Sequence, residues 1–169
     1  MTLPRPFLIW PDRRLSMAAE PVAGVDDQVR EIWEEMLAAM YAMPGVGLAA
    51  PQIGVMRRLA VIDCSEARNE PVRLANPRIL HESVKLRAHQ EASPNLPGLS
   101  AEIARPRAVT VAYLDQDGQA VEKEFIGLAA TSVQHQIDHL GGRMFFDHLS
   151  PMKRRMLLAK HAKAQKRRR

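Results

Sequence analysis

The sequence predicts one domain of the α+β class, in which helices and short antiparallel strands occupy separate stretches of the chain. Its 169 residues, 46% of them hydrophobic and 25% charged, suffice for one buried core and are too few for two. Apolar residues recur at helical spacing over residues 26–43 and 127–141, whereas they alternate with polar residues over 107–126. Helical and β periodicity therefore lie in different segments.

The first predicted helix covers residues 26–43. Asp26 or Asp27 is expected to cap its N-terminus, and Pro44 and Gly45 end it. Its apolar side chains lie on one stripe, which indicates that one face of the helix packs in the core. The stripe consists of Val29, Ile32, Trp33, Met36, Leu37, Met40 and Tyr41.

Short strands are predicted after the loop at residues 44–54. The runs RLAVIDC at 58–64 and VRLANPRIL at 72–80 are rich in β-forming residues. Residues 107–126 predict a hairpin, because alternating apolar residues flank the turn DQDG at 115–118. The alternating apolar residues are Val109, Val111 and Tyr113 before the turn. Val121 and Phe125 share one side of the strand after it.

The second predicted helix, residues 127–141, contains the motif HQIDH. At about 100° per residue, His135 and His139 lie on the same face, which is a common spacing for two metal ligands. Gln136 stands where metal-dependent hydrolases with this motif have a glutamate. Leu128 and Ser132 share the histidine face, and the opposite, packing face consists of Ala130, Val133, Ile137 and Leu140.

A third helix is predicted to begin at Ser150 and Pro151, an N-cap followed by proline at the first helical position. Residues 153–169 contain nine Lys and Arg and no acidic residue, so the preceding 152 residues carry 15 basic and 19 acidic side chains. The formal net charge of +5 therefore comes from this tail. A basic helix without acidic residues is typical of proteins that bind a phosphate-rich partner. It is equally compatible with a solvated surface.

The N-terminal residues show no secretory signal, and no apolar run approaches the roughly 18 residues that span a membrane. We therefore expect a cytoplasmic, monomeric protein without a membrane partner. Cys64, the only cysteine, cannot form an internal disulfide, and a buried or half-buried thiol is expected for it.

Three segments together resemble the peptide deformylase family. They are PGVGLAAPQIG at 44–54, EASPNLPG at 91–98 and QHQIDHLGGRMF at 134–145. WPDRRL, LANPRIL and DHLSP extend the likeness over most of the chain. The resemblance implies a peptide deformylase-like fold for residues 1–152, with short antiparallel sheets around the central HQIDH helix, and residues 153–169 as a basic C-terminal helix of the same domain.

The resemblance also implies a chemistry. Family members bind a divalent metal, Fe²⁺, Zn²⁺ or Ni²⁺, with two histidines and one cysteine, and remove the formyl group from the N-terminal formylmethionine of new proteins. His135 and His139 match the histidines, but Ser93 stands at the cysteine position. Because a serine hydroxyl is a weak neutral donor, low or absent metal occupancy is expected.

Two further positions depart from the family. Gln136 stands at the position of the general base and cannot accept a proton at neutral pH. Gln52 matches the glutamine of the oxyanion hole, but Pro94 occupies the position whose backbone N–H completes it, and proline has no N–H. These two losses together amount to roughly 10⁴- to 10⁷-fold in rate.

The resemblance implies that the substrate pocket is formed by residues of the first and second motifs and by the start of the HQIDH helix. The residues expected around the substrate's methionine side chain are largely polar, and Pro94 offers no backbone N–H to the peptide. Both features predict weak binding of formylated or N-terminal Met peptides. The predicted pocket residues are Gly45, Val46, Gly47, Leu48, Ala92, Leu128, Thr131 and Ser132.

The expected function is a peptide deformylase-like protein whose deformylase activity is lost or severely weakened, kept to bind the nascent peptide and, through the basic tail, ribosomal RNA. The alternative is an active peptide deformylase or related amidohydrolase with an unusual Ser93, His135 and His139 metal site. A third hypothesis is an interaction protein unrelated to translation.

Overall fold

The computed structural model describes residues 4–169, so the first three residues of the predicted domain lie outside the described part. These residues form three α-helices and seven strands. The helices are α1 (Asp27–Ala42), α2 (Leu128–Leu140) and α3 (Pro151–Arg167). The strands are β1 (Gly47–Ala49), β2 (Leu59–Ile62), β3 (Val72–Glu82), β4 (Leu86–Ala92), β5 (Ser100–Pro106), β6 (Ala108–Leu114) and β7 (Ala120–Ile126). The predicted α+β class is confirmed.

The strands form two antiparallel sheets. The larger has the order β1-β2-β3-β6-β7, and the smaller is the hairpin of β4 and β5. Strands β2 and β3 and the β6–β7 hairpin coincide with the segments predicted from alternation. The β4–β5 hairpin was missed, because most of its side chains are polar or exposed and no apolar alternation marks it.

Helix α1 packs against the larger sheet through the predicted stripe. The Asp26 carboxylate accepts a hydrogen bond from the Val29 backbone N–H at 2.8 Å, which caps the helix. Trp33, Met36 and Met40 are completely buried in the core with residues of β1 and β2. Tyr41, at the edge of the stripe, is half-buried and donates its hydroxyl hydrogen to Asp63.

Helix α2 lies between the two sheets and contacts β1, β2, β5 and β7. Its apolar face packs on the larger sheet, with Ala130, Val133 and Leu140 completely buried and Ile137 half-buried. Its polar face is buried as well, so the histidines and Gln136 stand inside the molecule. Because buried polar side chains need hydrogen-bond partners, those on this face must bond within the protein or to a ligand.

Helix α3 begins at the predicted cap, where the Ser150 hydroxyl accepts a hydrogen bond from the Lys153 backbone N–H. Its attachment to the body includes buried His161, whose Nε2 donates to the Trp10 carbonyl oxygen at 2.7 Å. Cys64 follows β2 and is half-buried, and burial raises the pKa of its thiol. Among the described helices, none is both long enough and apolar enough to cross a membrane.

Candidate active site

A cavity of about 390 Å³ opens between the 44–54 loop, the end of β4 and the polar face of α2. Nearly all of the predicted pocket residues line it: Gly45, Val46, Gly47, Ala92, Leu128, Thr131 and Ser132. Leu48 differs from the prediction, because its side chain is completely buried in the core beneath α1 instead of facing the cavity. Successive side chains of a strand point to opposite faces, and Leu48 follows the cavity-lining Gly47.

The two histidines meet at the base of this cavity. Their Nε2 atoms are 3.1 Å apart, and both side chains are buried. Burial, together with the neighbouring His135 ring, lowers the pKa of His139 well below its usual value, so this imidazole is neutral at neutral pH. Two imidazoles with converging nitrogen atoms are a suitable arrangement for a common divalent cation, which binds unprotonated ring nitrogens.

A chain of charged side chains fixes the orientation of His135. Its Nδ1 lies 2.8 Å from Glu91 Oε1, and Arg105 binds the same carboxylate through two bonds of 2.7 and 2.9 Å. Arg105 also contacts Asp138 at 2.8 Å, and His148 contacts Asp138 at 2.7 Å. With Nδ1–H donated to Glu91, His135 keeps its Nε2 lone pair towards the cavity.

The pKa values of the two carboxyl groups follow from these contacts. Burial alone raises the pKa of Glu91, but hydrogen bonds from His135 and Arg105 outweigh it and lower the pKa below its usual value. For Asp138, His148 and Arg105 likewise outweigh burial and lower the pKa to about 2. Both groups are therefore ionised at neutral pH. Sequence reasoning missed this network, although the aspartate of HQIDH and the glutamate of EASPNLPG were visible signals.

Ser93 and Gln52 lie together at the side of the cavity. Gln52 Nε2 donates to Ser93 Oγ at 3.2 Å and to Asn95 Oδ1 at 2.8 Å, and Ser93 Oγ donates to Asn95 Oδ1 at 2.8 Å. Asn95 was not identified from the sequence. Within residues 4–169, no group of three His, Cys, Asp or Glu side chains is arranged to hold a metal ion.

Gln136 and Pro94 also line the cavity. Gln136 Oε1 is buried and has no hydrogen-bond partner in the described part of the chain, so it can accept a hydrogen bond from a molecule in the cavity. The opposite wall lies very close, since a Cβ on Gly47 would be 2.5 Å from Gln136 Nε2. Thr131 accepts a hydrogen bond from Arg87 at 3.1 Å, which makes this part of the wall polar, as predicted.

Known proteins are similar to this sequence over nearly the whole chain. The polypeptide deformylase family model matches residues 4–155. The peptide deformylase of Methylocella silvestris is 46% identical, over 96% of this chain and 85% of that protein. The peptide deformylase of Rhizobium meliloti is 42% identical, over 96% and 94%.

Solved structures of peptide deformylases have a similar fold. A peptide deformylase from Legionella pneumophila superposes with a TM-score of 0.90 at 38% identity, covering 98% of each chain. The peptide deformylase from Ehrlichia chaffeensis in complex with actinonin has a TM-score of 0.88 at 34% identity, covering 94% of this chain and 95% of that one. The predicted peptide deformylase-like fold is confirmed.

These comparisons overturn the expectation of a homologue without deformylase activity. Proteins 46% and 42% identical over nearly the whole chain are named peptide deformylase, and they favour the alternative, an active metal-dependent enzyme. That expectation multiplied the losses in rate estimated separately for Gln136 and Pro94. The effects of groups that act as a unit are not additive, and His135 and His139 still converge at the base of the cavity with Glu91 behind His135.

Proposed function

Because the chain belongs to the polypeptide deformylase family, we propose that it is an active metal-dependent hydrolase that removes the formyl group from the N-terminal formylmethionine of new polypeptides. The observation that carries the proposal is the pair of Nε2 atoms, 3.1 Å apart, at the base of a cavity that also contains Gln52. Cytoplasmic synthesis of such polypeptides agrees with the expected location.

His135 and His139 would hold the divalent ion, Fe²⁺, Zn²⁺ or Ni²⁺. When bound, such an ion supplies a Lewis acid and lowers the pKa of a coordinated water. The protein prepares both ligands: Glu91 accepts a hydrogen bond from His135 Nδ1 and so orients that ring, and burial keeps His139 neutral. Arg105 holds Glu91 in that position through two hydrogen bonds.

Gln52 and Gln136 provide the polar contacts for the formamide group. The Gln52 carboxamide is a hydrogen-bond donor for the carbonyl oxygen as negative charge develops on it, while Pro94 contributes no N–H. The unpartnered Gln136 Oε1 accepts a hydrogen bond from the substrate amide or from a water molecule, and thereby orients it. Gln136 does not remove a proton.

The shape of the cavity suits the end of an extended peptide. Its volume of about 390 Å³ accommodates a methionine side chain beside Leu128, Thr131 and Ser132. Strand β4 pairs with β5 along one edge, and in the described part of the chain its other edge has no partner strand. The peptide backbone is therefore proposed to add to β4 as a further strand.

The test is formate release from a formyl-Met peptide by protein loaded with Fe²⁺, Ni²⁺ or Zn²⁺. His135→Ala and His139→Ala remove the ligands, and His81→Ala, at an exposed position outside the cavity, is the matched control. We expect release by the native protein and the control but not by the ligand variants. Equal rates for all four proteins would refute the proposal.

The basic tail supports a further proposal, that ribosomal RNA is a partner. Residues 153–169 carry nine cations without an acidic residue, and most of those side chains are exposed on α3. The tail has no aromatic residue, which favours attraction to phosphate over base stacking.

A further inference from the structure

We propose that Ser93 and Asn95 are positioning residues that hold the Gln52 carboxamide, and that the Ser93 hydroxyl is not a metal ligand. The inference rests on the proposed function only for the role of Gln52. Three polar side chains form a closed hydrogen-bonded group beside the cavity. Gln52, Ser93 and Asn95 are 1%, 6% and 0% exposed, so each polar atom needs a partner within the protein.

The hydroxyl of Ser93 is fully occupied. It donates its one hydrogen to Asn95 Oδ1 at 2.8 Å, and accepts from Gln52 Nε2 at 3.2 Å and from the Asn95 backbone N–H at 3.3 Å. A hydroxyl has one hydrogen and two lone pairs, so three such bonds use its whole capacity. To ligate a metal, Ser93 would have to give up at least one of these buried bonds for a weak, neutral donor interaction.

Asn95 is the centre of the group. Its Oδ1 accepts from both Gln52 and Ser93, and its Nδ2 donates to the carbonyl oxygens of Leu8 at 2.6 Å and Gln52 at 3.1 Å. Its own carbonyl oxygen accepts from the Trp10 N–H at 2.9 Å. Asn95 therefore connects the cavity wall to the N-terminal segment, through its bonds with Gln52 and Ser93 on one side and with Leu8 and Trp10 on the other.

Gln52 is held from both ends of its carboxamide. Oε1 accepts from the Ala49 N–H at 2.8 Å, while the two Nε2 hydrogens go to Asn95 and Ser93. The longer bond, to Ser93, is the one that a substrate oxygen replaces at least cost. Ser93 thus accepts one Gln52 hydrogen bond until a substrate oxygen replaces it as the acceptor. A hydroxyl suffices for this role, and no bond to a metal is needed.

Two measurements on the full chain test the proposal. The first is Co²⁺ affinity of the native protein and of Ser93→Ala, with His139→Ala as the ligand-loss reference. The second is hydrogen exchange of the Gln52 side-chain amide by NMR in the native protein and in Ser93→Ala, with the backbone amide of buried Val133 reporting global unfolding. Neither readout depends on formate release.

We expect Ser93→Ala to bind Co²⁺ as tightly as the native protein and to exchange the Gln52 amide hydrogens about fivefold faster, with Val133 unchanged, because one ordinary hydrogen bond has been lost. A loss of Co²⁺ affinity as large as that of His139→Ala, beyond the roughly 10- to 100-fold that partners outside the ligand shell account for, would show that Ser93 is a ligand. Unchanged Gln52 exchange would refute the positioning role. If the native protein binds no Co²⁺, the proposed function fails, and the exchange measurement alone decides the role of Ser93.

Discussion

Replacing Arg105 by methionine tests whether the buried charge network supports the site. Arg105 has a 5% exposed side chain and is the only Lys or Arg among the described contacts of Glu91. Methionine keeps most of the hydrophobic volume and removes the three hydrogen bonds to carboxylates, two to Glu91 and one to Asp138. Both carboxylates would then lack their guanidinium partner in a setting where their side chains are 3% and 17% exposed.

Removing one partner of a buried ion pair costs about 3 to 5 kcal/mol, because the remaining charge is left without compensation. We expect that loss in the free energy of unfolding of Arg105→Met at pH 7, measured by urea denaturation. The matched control is Arg154→Met, which breaks the ion pair with Asp147, where the side chains are 39% and 26% exposed. Such a partly exposed pair contributes about 1 kcal/mol or less.

The dependence on pH provides a second measurement. The pKa of Asp138 is lowered from 3.8 to about 2 in the folded protein, which corresponds to roughly 2 kcal/mol of stabilisation. Because the folded-state pKa is the lower one, this contribution is complete above pH 3.8 and is lost as the pH falls towards 2. Arg105→Met should lose much of this acid sensitivity. A variant as stable as Arg154→Met at pH 7 would refute the reasoning.

Three further predictions concern the chemistry and the tail. Gln136→Glu restores a general base and should raise the rate of formate release by about 10²-fold or more; an unchanged rate would show that proton transfer is not limiting. Ser93→Cys should tighten metal binding and add a sulfur-to-metal absorption band to the Co²⁺ complex, whereas an unchanged spectrum would place that side chain away from the ion. Lys163→Glu with Lys166→Glu, both exposed on α3, should weaken co-sedimentation with ribosomes at low salt and leave formate release unchanged; co-sedimentation that is insensitive to both salt and substitution would contradict the RNA proposal.

The elements with strong local periodicity were predictable from the sequence. The stripe of α1, the caps at Asp26 and Ser150 and the alternation of β6 and β7 all act between residues close in the chain. The spacing of His135 and His139 placed both on one helical face, and the structure brings their Nε2 atoms together. Motifs in matching order identified the family for the same reason, since each is a short contiguous segment.

The prediction of lost activity failed because it treated Ser93, Pro94 and Gln136 as separate penalties. Each of these residues lacks the group that its position would need, but the activity of a site depends on groups that act together. The comparisons with full-length relatives therefore outweighed it. Leu48 was misplaced for a related reason, since motif membership does not tell which face of β1 a side chain occupies.

The sequence by itself determined the helices, the main hairpin, the family and the paired histidines. Only the tertiary structure decided which partners those residues have: Glu91 and Arg105 behind His135, and Asn95 between Gln52 and Ser93. The physical reason is range. Helical and strand periodicity are set by neighbours a few positions apart, whereas Gln52 and Asn95 are 43 positions apart, and a hydrogen bond between them exists only once the chain has folded.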